Sequence, residues 1–159
     1  MKKLFTFFSI IIIGNSLFAQ LPNAGFETWT TVGAYSLPTG WDNINAKTNS
    51  MSVYTCEKGT PGNPGSSYLK LTSKTMGTSV APGIAVSGIL DTATYMPKSG
   101  FTYTSRPANF TGSWQYMGFS GDVGHIAILL SKWNVSLSKR DTVSFTNYSL
   151  AGMVMSWAT

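Results

Sequence analysis

Val123-Gly-His-Ile-Ala-Ile-Leu-Leu-Ser-Lys-Trp133 sets Ile126, Ile128 and Leu130 on one side of an extended chain. Apolar residues two apart suit a strand buried on one face; a helix would want them three and four apart. Shorter runs repeat the pattern. Ser66–Ser73 sets Leu69 and Leu71 against Tyr68, Lys70 and Thr72. Gly83–Leu90 is a run broken by a glycine that suggests a bulge. Phe101–Thr104, Gly112–Met117, Asp141–Thr146 and Tyr148–Trp157 read as further strands. Turn chemistry separates them at Leu37–Trp41, Thr60–Ser66 and Pro97–Gly100. Beyond the first nineteen residues no ten-residue window carries a helical apolar stripe. The expected fold is all-β, an antiparallel β-sandwich of jelly-roll type.

The first nineteen residues read differently. Lys2 and Lys3 precede an apolar run from Leu4 to Ile13, and Asn15–Ala19 gives a polar break ending in a small residue. This is the pattern of a signal peptide, Met1–Ala19, cleaved beside Gln20. The expected protein is therefore exported, to the periplasm, the outer cell surface or the medium. The remainder, 20–159, is expected to form a single β-sandwich domain. No later apolar stretch approaches spanning length.

Charge narrows the partners. Without the two leader lysines, nine basic residues face six acidic ones, and the basic ones are scattered along the chain. A nucleic-acid surface would gather them on one element, so no nucleic-acid partner is expected. Cys56 is the sole cysteine, which removes internal disulfides and cysteine zinc sites. With His125 the only histidine, Cys56 reads as a small hydrophobe and not a nucleophile. A glycosidase would need two neighbouring carboxyl groups. Glu27, Asp42, Glu57, Asp91, Asp122 and Asp141 are all spread apart. An enzyme is thus the third reading of this chain.

Aromatic residues are the strongest feature. In Gly112-Ser-Trp-Gln-Tyr-Met117, Trp114 and Tyr116 share one strand face, about 7 Å apart. Such a pair either lines a core or stacks on a sugar, whose C–H faces suit the negative face of an aromatic ring. Arg106, just upstream, would clamp hydroxyls or a carboxylate. Asn23 and Glu27 are the best candidates for an oxygen-ligated calcium. In the plainer alternative Asn23 caps a turn and Glu27 is solvated.

Asn23-Ala-Gly-Phe-Glu27-Thr-Trp29 and Pro38-x-Gly-Trp41 resemble the opening of a carbohydrate-metabolism domain family of exported bacterial proteins. Ser99–Thr102, Arg106-Pro107, Thr111–Tyr116, Gly121-Asp122 and Leu130–Trp133 resemble that family's central block, in the same order. The resemblance implies a jelly-roll sandwich shaped like a carbohydrate-binding module, and a structural calcium near Glu27. In the family a Trp like Trp157 is followed by further strand sequence, whereas this chain stops at Thr159. The expectation is a domain lacking its last strands. Together these readings make the chain a non-catalytic glycan-binding module with a polysaccharide or glycan partner. The alternative is a structural or adhesive surface module whose rings are all core.

Overall fold

The computed structural model describes residues 21–105 and 108–159. The expected leader, Met1–Ala19, and the expected clamp Arg106 lie outside the described residues.

The chain is all-β, and every strand pairing among the described residues is antiparallel. Among the described residues each strand has one hydrogen-bonded neighbour, giving seven two-stranded ladders. The chain separates into two compact units, residues 21–60 with 67–105, and residues 61–66 with 108–159.

The first unit opens with β1 (Trp29–Val32) and β2 (Tyr35–Pro38), joined by Gly33 and Ala34. Gly33 takes a positive φ of 58°, which a two-residue hairpin turn requires at its first position. Next come β3 (Trp41–Asn43), a single helical turn α1 (Asn45–Thr48) and the 3₁₀ turn Asn49–Met51. Then follow β4 (Cys56–Gly59), β5 (Tyr68–Leu71), β6 (Lys74–Met76), β7 (Ser79–Ala81), β8 (Ala85–Ser87), β9 (Ile89–Asp91) and β10 (Met96–Ser99). The ladders are β1–β2, β3–β8, β4–β5, β6–β7 and β9–β10.

The core of this unit is Ile44, Ala81 and Leu90, with Val53, Met76, Ile84 and Val86 packed against them. A polar knot lies beside it. The buried Asn45 side chain accepts from the backbone N–H of Thr55 (2.9 Å) and Cys56 (3.2 Å) and donates to the Cys56 carbonyl (2.6 Å). Asn43 Oδ1 accepts from the Asn45 N–H, and the Thr48 hydroxyl donates to the Val53 carbonyl. These side chains satisfy backbone groups of Asn45, of the loop before β4 and of that strand's first residue, Cys56, as burial demands. Asp42 does a similar service, taking the Asn43 N–H on one oxygen and the Leu90 N–H on the other, which ties β3 to β9.

The second unit contains β11 (Trp114–Met117), β12 (Val123–Asn134), β13 (Lys139–Ala151) and β14 (Met153–Ala158). Long strands β12 and β13 pair from Val123↔Ala151 to Asn134↔Lys139, with an irregularity after Leu130 that leaves Val143 as an extra residue. β11 pairs with β14. As the alternation predicts, Gly124, Ile126, Ile128 and Leu130 are half-buried while His125, Ala127 and Leu129 are exposed. Buried Leu150 lies on the inner side, opposite Gly124.

Some local expectations shift. Pro97–Gly100, expected as a turn, lies mostly in β10, where the irregularity between Pro97 and Ser99 accommodates a residue without an N–H. Phe101–Thr104 forms no strand. The expected break between Thr146 and Tyr148 is absent, and the chain instead reverses at Gly152, with φ of 75°.

Candidate functional site

Tyr35 and Tyr54 bring two half-buried rings together on the first unit, centroids 5.6 Å apart and planes inclined by 31°. Tyr35 starts the return strand of the first hairpin, and Tyr54 leaves the 3₁₀ turn just before the Asn45 knot fixes Thr55 and Cys56. The Tyr54 hydroxyl donates to Asn49 Oδ1 at 2.8 Å, which orients its ring. The pair borders an open groove whose walls include Thr31, Ser36, Glu57 and Lys58. Apolar ring faces therefore lie beside hydroxyl, carboxylate and ammonium groups, the mixture that a polyhydroxylated ligand needs.

Chemistry beyond binding has little to draw on in this groove. Glu57 is its one carboxylate, and it pairs with Lys74 at 2.9 Å. Both partners are partly exposed, so the pair adds well under about 1 kcal/mol to stability. Cys56 lines the floor, fully buried. Burial, with a smaller contribution from the negative charge of Glu57, pushes its thiol up to about 12. A thiol held neutral is a poor nucleophile. The remaining carboxylates named from sequence have structural partners, apart from Asp122. Asp42 is tied to Leu90, Asp91 to the Ala93 N–H, Asp141 to Asn134, and Glu27 to Ser67.

The residues singled out from sequence fall in several places. Trp114 and Tyr116 do share one half-buried face of β11. The Trp114 ring meets Tyr148 nearly edge-on at 6.0 Å. The Tyr116 ring lies over two glycines: a Cβ added at Gly124 or Gly118 would come within 2.8 or 2.9 Å of it. Both rings are thus engaged inside the second unit. Asn23 closes its own loop: Oδ1 accepts the Thr28 N–H at 3.0 Å and Nδ2 donates to the Thr28 carbonyl at 2.8 Å. The Glu27 carboxylate receives the Ser67 N–H and hydroxyl at 3.1 and 3.2 Å. A calcium would have to share Glu27 with those donors. Among the described residues no group of three or more His, Cys, Asp or Glu is placed to hold a metal.

The tyrosine pair was not found from sequence, because its members lie nineteen positions apart and meet only through the β2–β4 neighbourhood. The signal that was present is the two-residue turn Gly33-Ala34 between runs rich in Thr, Val and Tyr. Among the described residues no helix is long and apolar enough to cross a membrane. Compared with known proteins, the chain matches no family model, no curated protein and no solved structure.

Proposed function

We propose that the protein is an exported, non-catalytic glycan-binding module built as an antiparallel β-sandwich of jelly-roll type. The observation that carries this reading is the Tyr35–Tyr54 ring pair bordering an open groove with Thr31, Ser36, Glu57 and Lys58. The rings offer a stacking surface for the C–H face of a sugar. The groove's hydroxyl and charged groups exchange hydrogen bonds with its hydroxyls. Stacking on one ring is worth on the order of 1 kcal/mol, so the expected binding is weak and depends on both rings.

Affinity electrophoresis through gels cast with soluble polysaccharides tests this. The wild-type protein is expected to be retarded by at least one polysaccharide, and Tyr35→Ala and Tyr54→Ala each to migrate as in a plain gel. Loss of retardation on Trp114→Ala, with both tyrosine variants unaffected, would move the site to β11. No retardation in any gel would favour a structural or adhesive surface module. That second reading has its own support in the exposed apolar residues of the second unit, among them Leu129, Phe145 and Met155.

A further inference from the structure

We propose that the outward face of the β12–β13 ribbon is an interface with a second copy of this chain, the two ribbons stacked face to face and antiparallel about a two-fold axis. This surface belongs to the second unit and is independent of the groove in the first.

The alternation that buries Ile126, Ile128 and Leu130 turns Val123, His125, Ala127, Leu129, Ser131 and Trp133 outward. Their partners across the ladder are Ala151, Ser149, Asn147, Phe145, Thr142 and Arg140. Near the middle, Leu129 faces Phe145, and these are 51% and 62% exposed. Trp133 (53%) marks one end, Val123 (50%) the other, and the extra residue Val143 (63%) stands at the irregularity. A polar cluster flanks the central pair, with Asn147 Nδ2 3.2 Å from His125 Nδ1. Solvent-facing strands normally carry charges that block association. This face carries a single permanent charge, Arg140, and the sequence from Thr142 to Thr159 has none at all.

Area and charge select the occupant. The exposed parts of Val123, Leu129, Trp133, Val143 and Phe145 amount to roughly 500 Å² of apolar surface, taking 150–250 Å² for a whole aromatic side chain and less for an aliphatic one. With the intervening polar residues, the face approaches the roughly 800 Å² per partner of a standard interface. The layout is also self-complementary, which a two-fold contact requires. Turned antiparallel about the Ile128–Thr146 position, each Leu129–Phe145 pair rests on the second copy's Ala127–Asn147 pair, next to that copy's own Leu129 and Phe145. Arg140 and Trp133 then rest on the second copy's Ala151 and Val123, and the two arginines stand about 34 Å apart at 3.4 Å per residue. A parallel stack would set the two arginines together.

Light scattering on a sizing column, over a dilution series and without sugar, tests the proposal. The wild-type protein is expected to pass from monomer to dimer as concentration rises. Phe145→Lys and Leu129→Lys, both at exposed positions, are expected to give monomer at every concentration with an unchanged circular dichroism spectrum. Val123 checks the geometry even if those variants fold poorly. Val123→Arg, set against the second copy's Arg140, is expected to weaken the dimer at least tenfold, while Val123→Glu preserves or tightens it. Equal weakening by both would overturn the antiparallel arrangement. A wild-type protein monomeric throughout, or a dimer indifferent to Phe145→Lys, would overturn the interface and leave this face to a different partner. Retardation by polysaccharide is read separately on Tyr35 and Tyr54, so either result stands without the other.

Discussion

Asn45 is fully buried, and its amide makes three bonds to main-chain atoms of Thr55 and of Cys56 at the start of β4. Asn45→Ala leaves two N–H groups and a carbonyl without partners. At about 1–3 kcal/mol for each orphaned group, partly relieved by entering water, the cost is roughly 3 kcal/mol, read from urea unfolding. Asn45→Asp retains the acceptors, but sets an anion against the Cys56 carbonyl and is expected to cost as much. Cys56 itself gives a pH signature. Its folded pKa, about 12, lies above the ordinary 9.0, so the fold favours the neutral thiol. That contribution is fully present below pH 9 and is lost as pH rises from about 9 towards 12. Cys56→Ala is expected to flatten this alkaline limb. At pH 8 iodoacetamide should label the native thiol far more slowly than the urea-unfolded one. Neither role was legible in the sequence. Asn45 gives no local signal, because its partners lie ten and eleven positions away, although Cys56 as a small hydrophobe did follow from the scarcity of histidine and cysteine.

Single strands were the most readable level. The β12 alternation places its half-buried residues as the period of two requires, and the glycine that interrupts Gly83–Leu90 does divide β8 from β9. There Gly88 has φ of 111°, and an added Cβ would sit 2.3 Å from the Ser99 carbonyl oxygen. Gly77 also has positive φ, 62°, but open space around it. Gly88→Ala is therefore expected to cost upwards of about 3 kcal/mol, and Gly77→Ala about 1 kcal/mol. Thermal midpoints of the two variants decide this; equal midpoints would mean that the Gly88 backbone can yield. The turn from β9 to β10 adds an acid-side effect. Backbone N–H groups of Ala93 and Thr94 hold the Asp91 carboxyl below its ordinary 3.8. Its contribution is present above pH 3.8 and is lost as pH falls through the lowered value. Asp91→Asn is expected to make stability less sensitive to pH in that acid range. What the strand patterns did not reveal were elements too short for any period, such as α1, and pairings fixed by turns, such as β1 with β2.

Across the whole molecule, the all-β class was legible because strand alternation and turn residues recur throughout. Which rings face solvent was not. Trp114 and Tyr116 have the spacing of a platform, yet their neighbours Tyr148, Gly118 and Gly124 come from other strands and from a turn. The exposed Trp133 and Phe145 carry no different local signature. The uneven distribution of buried residues has a dynamic consequence. Among the described residues the first unit holds Ile44, Cys56, Ala81 and Leu90 in its interior, whereas the second buries only Leu150 to that degree. Opening a segment costs what its buried contacts supply, so the two units are expected to keep different clocks. In dilute solution, mass-spectrometric amide exchange should find the N–H groups of Thr55, Cys56 and Leu90 the slowest. Those of β13, residues 139–151, should take up deuterium orders of magnitude sooner, and they should slow as the solution is concentrated and two ribbons meet.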